Sequence, residues 1–242
     1  WNDMVFFYTV LAFFHGVDAT KMKVVYKDGV AENGYLPVHY PASIDGVNEA
    51  FEWFEEEMDD DDTFIFFATN HGGTGYSDID NDDNNSFNNG DEAIFYYNQS
   101  GRIEDDLLAD YINELNFGRF LGIIEPCFGG GLIPDLAGEN RVMVSASKED
   151  EVSWGGYQNY GNSYDNFVYL FTAALAGQHA DGTSVDADAD NNGKVSIAEA
   201  FEWARVADTA DETPQIESDN NGTPSNTAAG ESGNFAETFY IN

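Results

Sequence analysis

The 242-residue chain carries 45 acidic side chains against 9 basic ones, a formal net charge of −36. So acidic a surface repels nucleic acid and anionic membranes and attracts cations and basic peptides. With 42% hydrophobic and 15% aromatic residues, the chain has the material for a packed core, which excludes an acidic disordered tail.

In chain order, the apolar segment Asn2–Phe14 predicts a helix that closes at Gly16. It is shorter than the ~20 residues that cross a bilayer, so a buried helix is expected and no membrane span. Lys23–Tyr26 reads as a strand ending at the Asp28-Gly29 turn. Ser43 is placed to cap a helix over Ile44–Met58, with Val47, Ala50, Phe51, Phe54 and Met58 on one face. The apolar run Thr63–Thr69 predicts a buried parallel strand leading to His71. A polar loop, 77–91, follows, then a helix over Glu104–Leu115. A second buried strand, Phe120–Glu125, leads to Cys127, and another is expected over Arg141–Ser147. Helices are predicted over Tyr164–Ala176 and Ile197–Ala207. After Asp208 an irregular acidic tail, 209–242, is expected, with Glu237–Asn242 as a strand at its end. No internal repeat is read. Alternating β and α units predict a single α/β domain, three layers around a mostly parallel sheet.

Two segments stand out, Phe64-Ile-Phe-Phe-Ala-Thr-Asn-His71-Gly-Gly and Leu121-Gly-Ile-Ile-Glu-Pro-Cys127-Phe-Gly-Gly-Gly131. Each is an apolar strand ending in a reactive side chain and glycines. Open α/β sheets place their chemistry at such strand ends. A histidine beside a cysteine there makes a thiol nucleophile with its base. The glycines let backbone N–H groups approach an oxyanion closely. Cys127 is the one cysteine, so no internal disulfide is expected.

In this order of motifs the chain resembles the caspase-like cysteine peptidases, the clan of legumain, caspases, gingipains and clostripain. The legumain-type bacterial and archaeal members are nearest. The resemblance implies a three-layer caspase/legumain-like sandwich with a mostly parallel central sheet. It implies His71 as general acid/base, Cys127 as nucleophile and the Gly72 and Cys127 amides as oxyanion donors. Glu125 and Ser153 would line the pocket for the residue before the scissile bond. The family's sheet begins with a strand ahead of the first helix, whereas this chain opens at that helix. The first family strand is therefore expected to be absent from the chain, removed, or supplied from elsewhere. A basic pocket residue of the family would lie there too, so preference for Lys or Arg, as in clostripain, stands beside preference for Asn. Pro126 replaces the small residue commoner before the cysteine, a position compatible with a strand end.

Asp188-Ala-Asp190-Asn-Asn192-Gly193-Lys194-Val195-Ser196-Ile-Ala-Glu199 fits the twelve-residue EF-hand loop. Asp188, Asp190 and Asn192 stand at positions one, three and five, Gly193 at the sharp turn, and Lys194 offers its carbonyl at seven. Glu199 at twelve can bind bidentately, so calcium is expected as a structural ion. A second ion at Asp78, Asp80, Asp82 and Asn84 is a weaker expectation, because that segment lacks the glycine.

The expected function is a calcium-stabilised cysteine endopeptidase acting on peptide or protein substrates through an acyl-enzyme. Three Asn-x-Ser/Thr acceptors at Asn84, Asn98 and Asn221 point to an extracellular or cell-surface protein, and the acidity equally fits the cytoplasm of a halophile. The alternative is a non-catalytic caspase-like surface or filament subunit that self-associates by strand exchange, with Phe235–Ile241 as one candidate donor.

Overall fold

The apolar runs at 63–69 and 120–125 are long enough only for strands, and they need a neighbour on each face. A computed structural model, describing residues 1–32, 34–75, 90–231 and 235–241, shows how they find it. Along the chain run α1 (Asn2–Phe13), α2 (Ile44–Glu57), β1 (Thr63–Ala68), β2 (Gly72–Gly73), β3 (Ala93–Phe95), β4 (Arg102–Glu104) and α3 (Asp105–Glu114). There follow β5 (Arg119–Ile124), α4 (Ile133–Leu136), β6 (Arg141–Ser145), β7 (Gly155–Asn159), β8 (Asn162–Asp165), α5 (Asn166–Ala176), α6 (Ile197–Ala207), β9 (Gln215–Glu217) and α7 (Phe235–Thr238).

The central sheet has the order β1-β5-β6-β9. β1, β5 and β6 are parallel, with Thr63 opposite Arg119 and Phe120 opposite Arg141, and β9 closes the sheet antiparallel to β6. Successive side chains of a strand point to opposite faces. Leu121 and Ile123 of β5 accordingly enter a core with Phe7, Val10, Phe167, Phe171 and Phe201 of α1, α5 and α6. Phe120 and Ile124 enter the other core, with Phe51, Leu108 and Ile112 of α2 and α3. This is the expected three-layer architecture.

Local chemistry sets the helix ends. Ser43 Oγ accepts from Gly46 N–H at 3.2 Å to start α2. Ser196 and Glu199 form a reciprocal capping box at α6. Gly177, at φ +67°, ends α5 in the left-handed conformation.

Three expectations are corrected. The segment 23–26 is not a full strand; it makes one parallel bridge, Val25 to Tyr40. The tail is not irregular throughout, because β9 lies within 209–242 and completes the sheet. Its end forms α7 rather than a strand: Ala236 and Phe239 are buried, and Ile197 N–H donates to the Phe239 carbonyl. That end is thus packed on its own chain.

Among the described residues no strand pairs with the edge of β1 that faces away from β5. A groove of 1020 Å³ lies along that edge, between residues 22–27 and 63–71. It reaches His71 and Cys127 at one end.

Candidate active site

β1 and β5 run side by side in parallel, so the residues after their carboxyl ends emerge together. Past β1, the chain turns at Asn70-His71 into β2, which pairs with β3. Phe95 N–H donates to the His71 carbonyl at 2.9 Å, and Asn70 Nδ2 donates to the Phe95 carbonyl at 2.8 Å. The backbone of His71 is thereby held while its side chain is exposed.

Past β5, Glu125-Pro126-Cys127 leads into a 3₁₀ turn over Gly129–Leu132. Phe128, directly after the cysteine, adopts φ +64°. A bulky residue in the left-handed region is strained, and such strain recurs where a fold must present a particular side chain. Here it turns the chain sharply away from Cys127. The two turns touch at Gly72: a Cβ there would lie 2.0 Å from the Cys127 carbonyl oxygen and 2.9 Å from Pro126 Cβ. Only glycine allows this approach.

Cys127 is half-buried. Its thiol donates to the Ser153 carbonyl at 3.9 Å, and Sγ lies 3.7 Å from Ser153 Oγ. No hydrogen bond joins Sγ to the His71 imidazole among the described residues. Both residues line the same groove.

Beneath Cys127 lies an acidic pocket. Glu125 is 4% exposed. Ser153 Oγ donates to its Oε1 at 3.0 Å, and Thr69 Oγ1 lies 3.3 Å from its Oε2. The same Thr69 hydroxyl bonds Asp165 Oδ2 at 2.9 Å. Asp165 N–H in turn donates to Asp3 Oδ1 at 3.0 Å. Burial, with Asp165 nearby, pushes the Glu125 carboxyl well above the usual range. The same two causes raise Asp3 to about 7. At the rim, Trp154 clamps the 208–212 segment: its N–H donates to Glu212 Oε2 and its indole Nε1 to the Asp211 carbonyl at 3.0 Å. Burial and Asp208 raise Glu212 to about 9.

The structure thus brings Gly72, Glu125, Cys127 and Ser153 together, with His71 beside them. Sequence reasoning missed Thr69, Asp165 and Asp3. Asp3 carried a signal, a lone acid in the first turn of an otherwise apolar helix; Asp165 and Thr69 carried none.

Residues 52–220 match the pattern of the peptidase C13 family. The chain belongs to that family, the legumain family of the caspase-like clan. Its members are cysteine peptidases. No curated protein matches the chain. Among solved structures, the chain is similar to the crystal structure of a protein from Geobacter sulfurreducens, at 16% identity over 73% of each chain with a TM-score of 0.49.

Away from this site, the carboxylates of Asp188, Asp190 and Glu199 lie within 4.8 Å of one another. Asn192 N–H donates to Asp188 Oδ1 and Asp190 Oδ1, both at 3.0 Å, and Lys194 N–H donates to Asn192 Oδ1 at 2.9 Å. Glu199 accepts from the amides of Ala189 and Asp190 and from Ser196. The second candidate, Asp78 to Asn84, lies outside the described residues. No helix among the described residues is long and apolar enough to cross a membrane.

Proposed function

We propose that this C13-family chain is a calcium-stabilised endopeptidase working through a Cys127–His71 dyad. The observation that carries the reading is the contact of the His71-Gly72 turn with the Pro126-Cys127 turn above a buried acidic pocket. His71 takes the Cys127 proton, and the thiolate attacks the scissile carbonyl carbon. Charge on the carbonyl oxygen is met by the Gly72 and Cys127 N–H groups. The C–N bond breaks, His71 returns the proton to the departing amine, and a thioester remains on Sγ. Water, deprotonated by His71, hydrolyses it and frees the thiolate.

The pocket selects the residue before the scissile bond. Glu125 and Asp165 offer acceptors, and Ser153 orients Glu125, so a side chain rich in N–H donors fits: Asn, Arg or Lys. Asp188, Asp190, Asn192, the Lys194 carbonyl and Glu199 are the all-oxygen donor set that would hold calcium. The ion would fix the loop ahead of α6. The same reading puts the protein outside the cell or on its surface, supported by the exposed acceptor Asn98.

Cys127→Ala tests the mechanism. Cleavage of peptides carrying Asn, Arg or Lys before the scissile bond should vanish, and undiminished activity would sink the assignment. Ranking those three peptides with the wild-type protein identifies the preference.

A second reading is favoured by the open edge of β1. Backbone groups along a buried strand edge need partners. A strand donated by another copy would supply them, and head-to-tail repetition would build a filament. Light scattering of dilute protein in calcium decides it, since a clean monomer argues against assembly.

A further inference from the structure

At the end of the sheet opposite the cysteine, β9 continues into a tight loop that returns by the bridge of Ile216 to Ser225. The loop contains Asp219-Asn-Asn-Gly222, the same tetrapeptide as Asp190-Asn-Asn-Gly193. The two share backbone conformation as well: Asn191 and Asn220 have φ +59° and +61°, and Gly193 and Gly222 have +86° and +68°. They also share a bonding pattern. Asn221 N–H donates to Glu217 Oε1 at 2.9 Å and Asp219 Oδ1 at 3.2 Å, and Thr223 N–H donates to Asn221 Oδ1 at 2.7 Å. Glu217, Asp219 and Asn221 therefore stand where Asp188, Asp190 and Asn192 stand in the first loop.

Sequence similarity of loops does not by itself make an ion site. The deciding observation is the state of Glu217. It is fully buried, yet its Oε2 has no hydrogen-bond partner among the described residues. Its carboxylate lies within 4.8 Å of those of Asp219 and Glu231. Glu231, 6% exposed, holds the loop by accepting from Ser218 N–H at 2.7 Å. A buried carboxylate with one oxygen lacking a donor, beside two further carboxylates, is costly unless a cation meets it.

We propose that Glu217, Asp219, Asn221 and Glu231 form a second divalent-cation site, for calcium by its hard all-oxygen donors. The site pins the last strand of the sheet to the 228–231 turn.

Calorimetric titration of calcium into chelator-dialysed full-length protein tests this. The double variant Asp188→Asn/Asp190→Asn removes the first loop from the count. That protein should still bind one calcium, and adding Asp219→Asn/Glu231→Gln should abolish binding. The proposal is overturned if the first-loop variant binds no calcium, or if the added substitutions leave its stoichiometry unchanged. Should the quadruple variant misfold by circular dichroism, Asp219→Asn alone in the same background, isosteric and half-exposed, carries the test. Its calcium affinity should fall tenfold or more, and unchanged affinity overturns the proposal.

Discussion

The two ends of the central sheet both bury carboxylates, in different company. At the carboxyl end, Glu125 meets the hydroxyls of Thr69 and Ser153 and the acids Asp165 and Asp3. At the other end, Glu217 and Glu231 meet backbone amides and Asp219, with one oxygen left over. In the first cluster burial raises Glu125 and Asp3, so its charge varies with pH. In the second cluster backbone amides hold Glu217 and Glu231, burial raises both, and one Glu217 oxygen keeps no donor among the described residues. Burial alone does not say what an acid is for, whereas its partners do.

That contrast can be broken at several points. The largest effect is expected from Gly72→Ala. Its Cβ would collide with the Cys127 carbonyl oxygen, and the displaced turn should lower kcat/KM about 10²-fold. Calcium stoichiometry should not change. Loss of calcium binding along with activity would mean that the two ends are not independent.

Next comes Ser153→Ala, which leaves Glu125 buried with one fewer hydroxyl. An unsatisfied buried group costs about 1–3 kcal/mol, so kcat/KM should fall roughly tenfold. Asn-, Arg- and Lys-containing peptides should lose unequally, and an equal loss on all three would remove Ser153 from the pocket.

The pH dependence follows from Asp3. Unfolded, its carboxyl releases the proton near 3.8, while in the folded protein it holds it to about 7. Between those values the folded state binds more protons, so stability falls as pH rises from about 4 to 7. Glu125 acts in the same direction. Thermal melts of wild type and Asp3→Asn across this window should show a shallower slope in the variant. Parallel slopes would contradict the raised carboxyl.

The smallest effect is expected at Ser196→Ala. It removes the hydroxyl that caps α6 and orients Glu199, and it should cost about 1 kcal/mol in chemical denaturation. If calcium restores the loss, the ion and the cap support the same turn.

The parallel strands, and the His71 and Cys127 segments that follow two of them, were legible because β1 and β5 read as apolar runs. The acidic loop at 188–199 stood out because its carboxylates are nearly contiguous in the sequence. The second loop was not, although it repeats Asp-Asn-Asn-Gly, because its last carboxylate, Glu231, comes from beyond the next turn. Asp165 and Asp3 were hidden for the same reason: the pocket gathers them from positions 162 residues apart. The polar tail concealed β9, in which Ile216 enters the core while Gln215 and Glu217 are buried beside β6 despite their polarity.

Trp154 gives the site a built-in optical reporter. The residue is 49% exposed, follows Ser153, and is tethered through Nε1 to the Asp211 carbonyl. A side chain entering the pocket would change the water around the indole without needing to be cleaved. The Cys127→Ala protein therefore still signals occupancy through its emission spectrum. Subtracting the signal of a Trp154→Phe counterpart isolates that response from Trp1, Trp53 and Trp203.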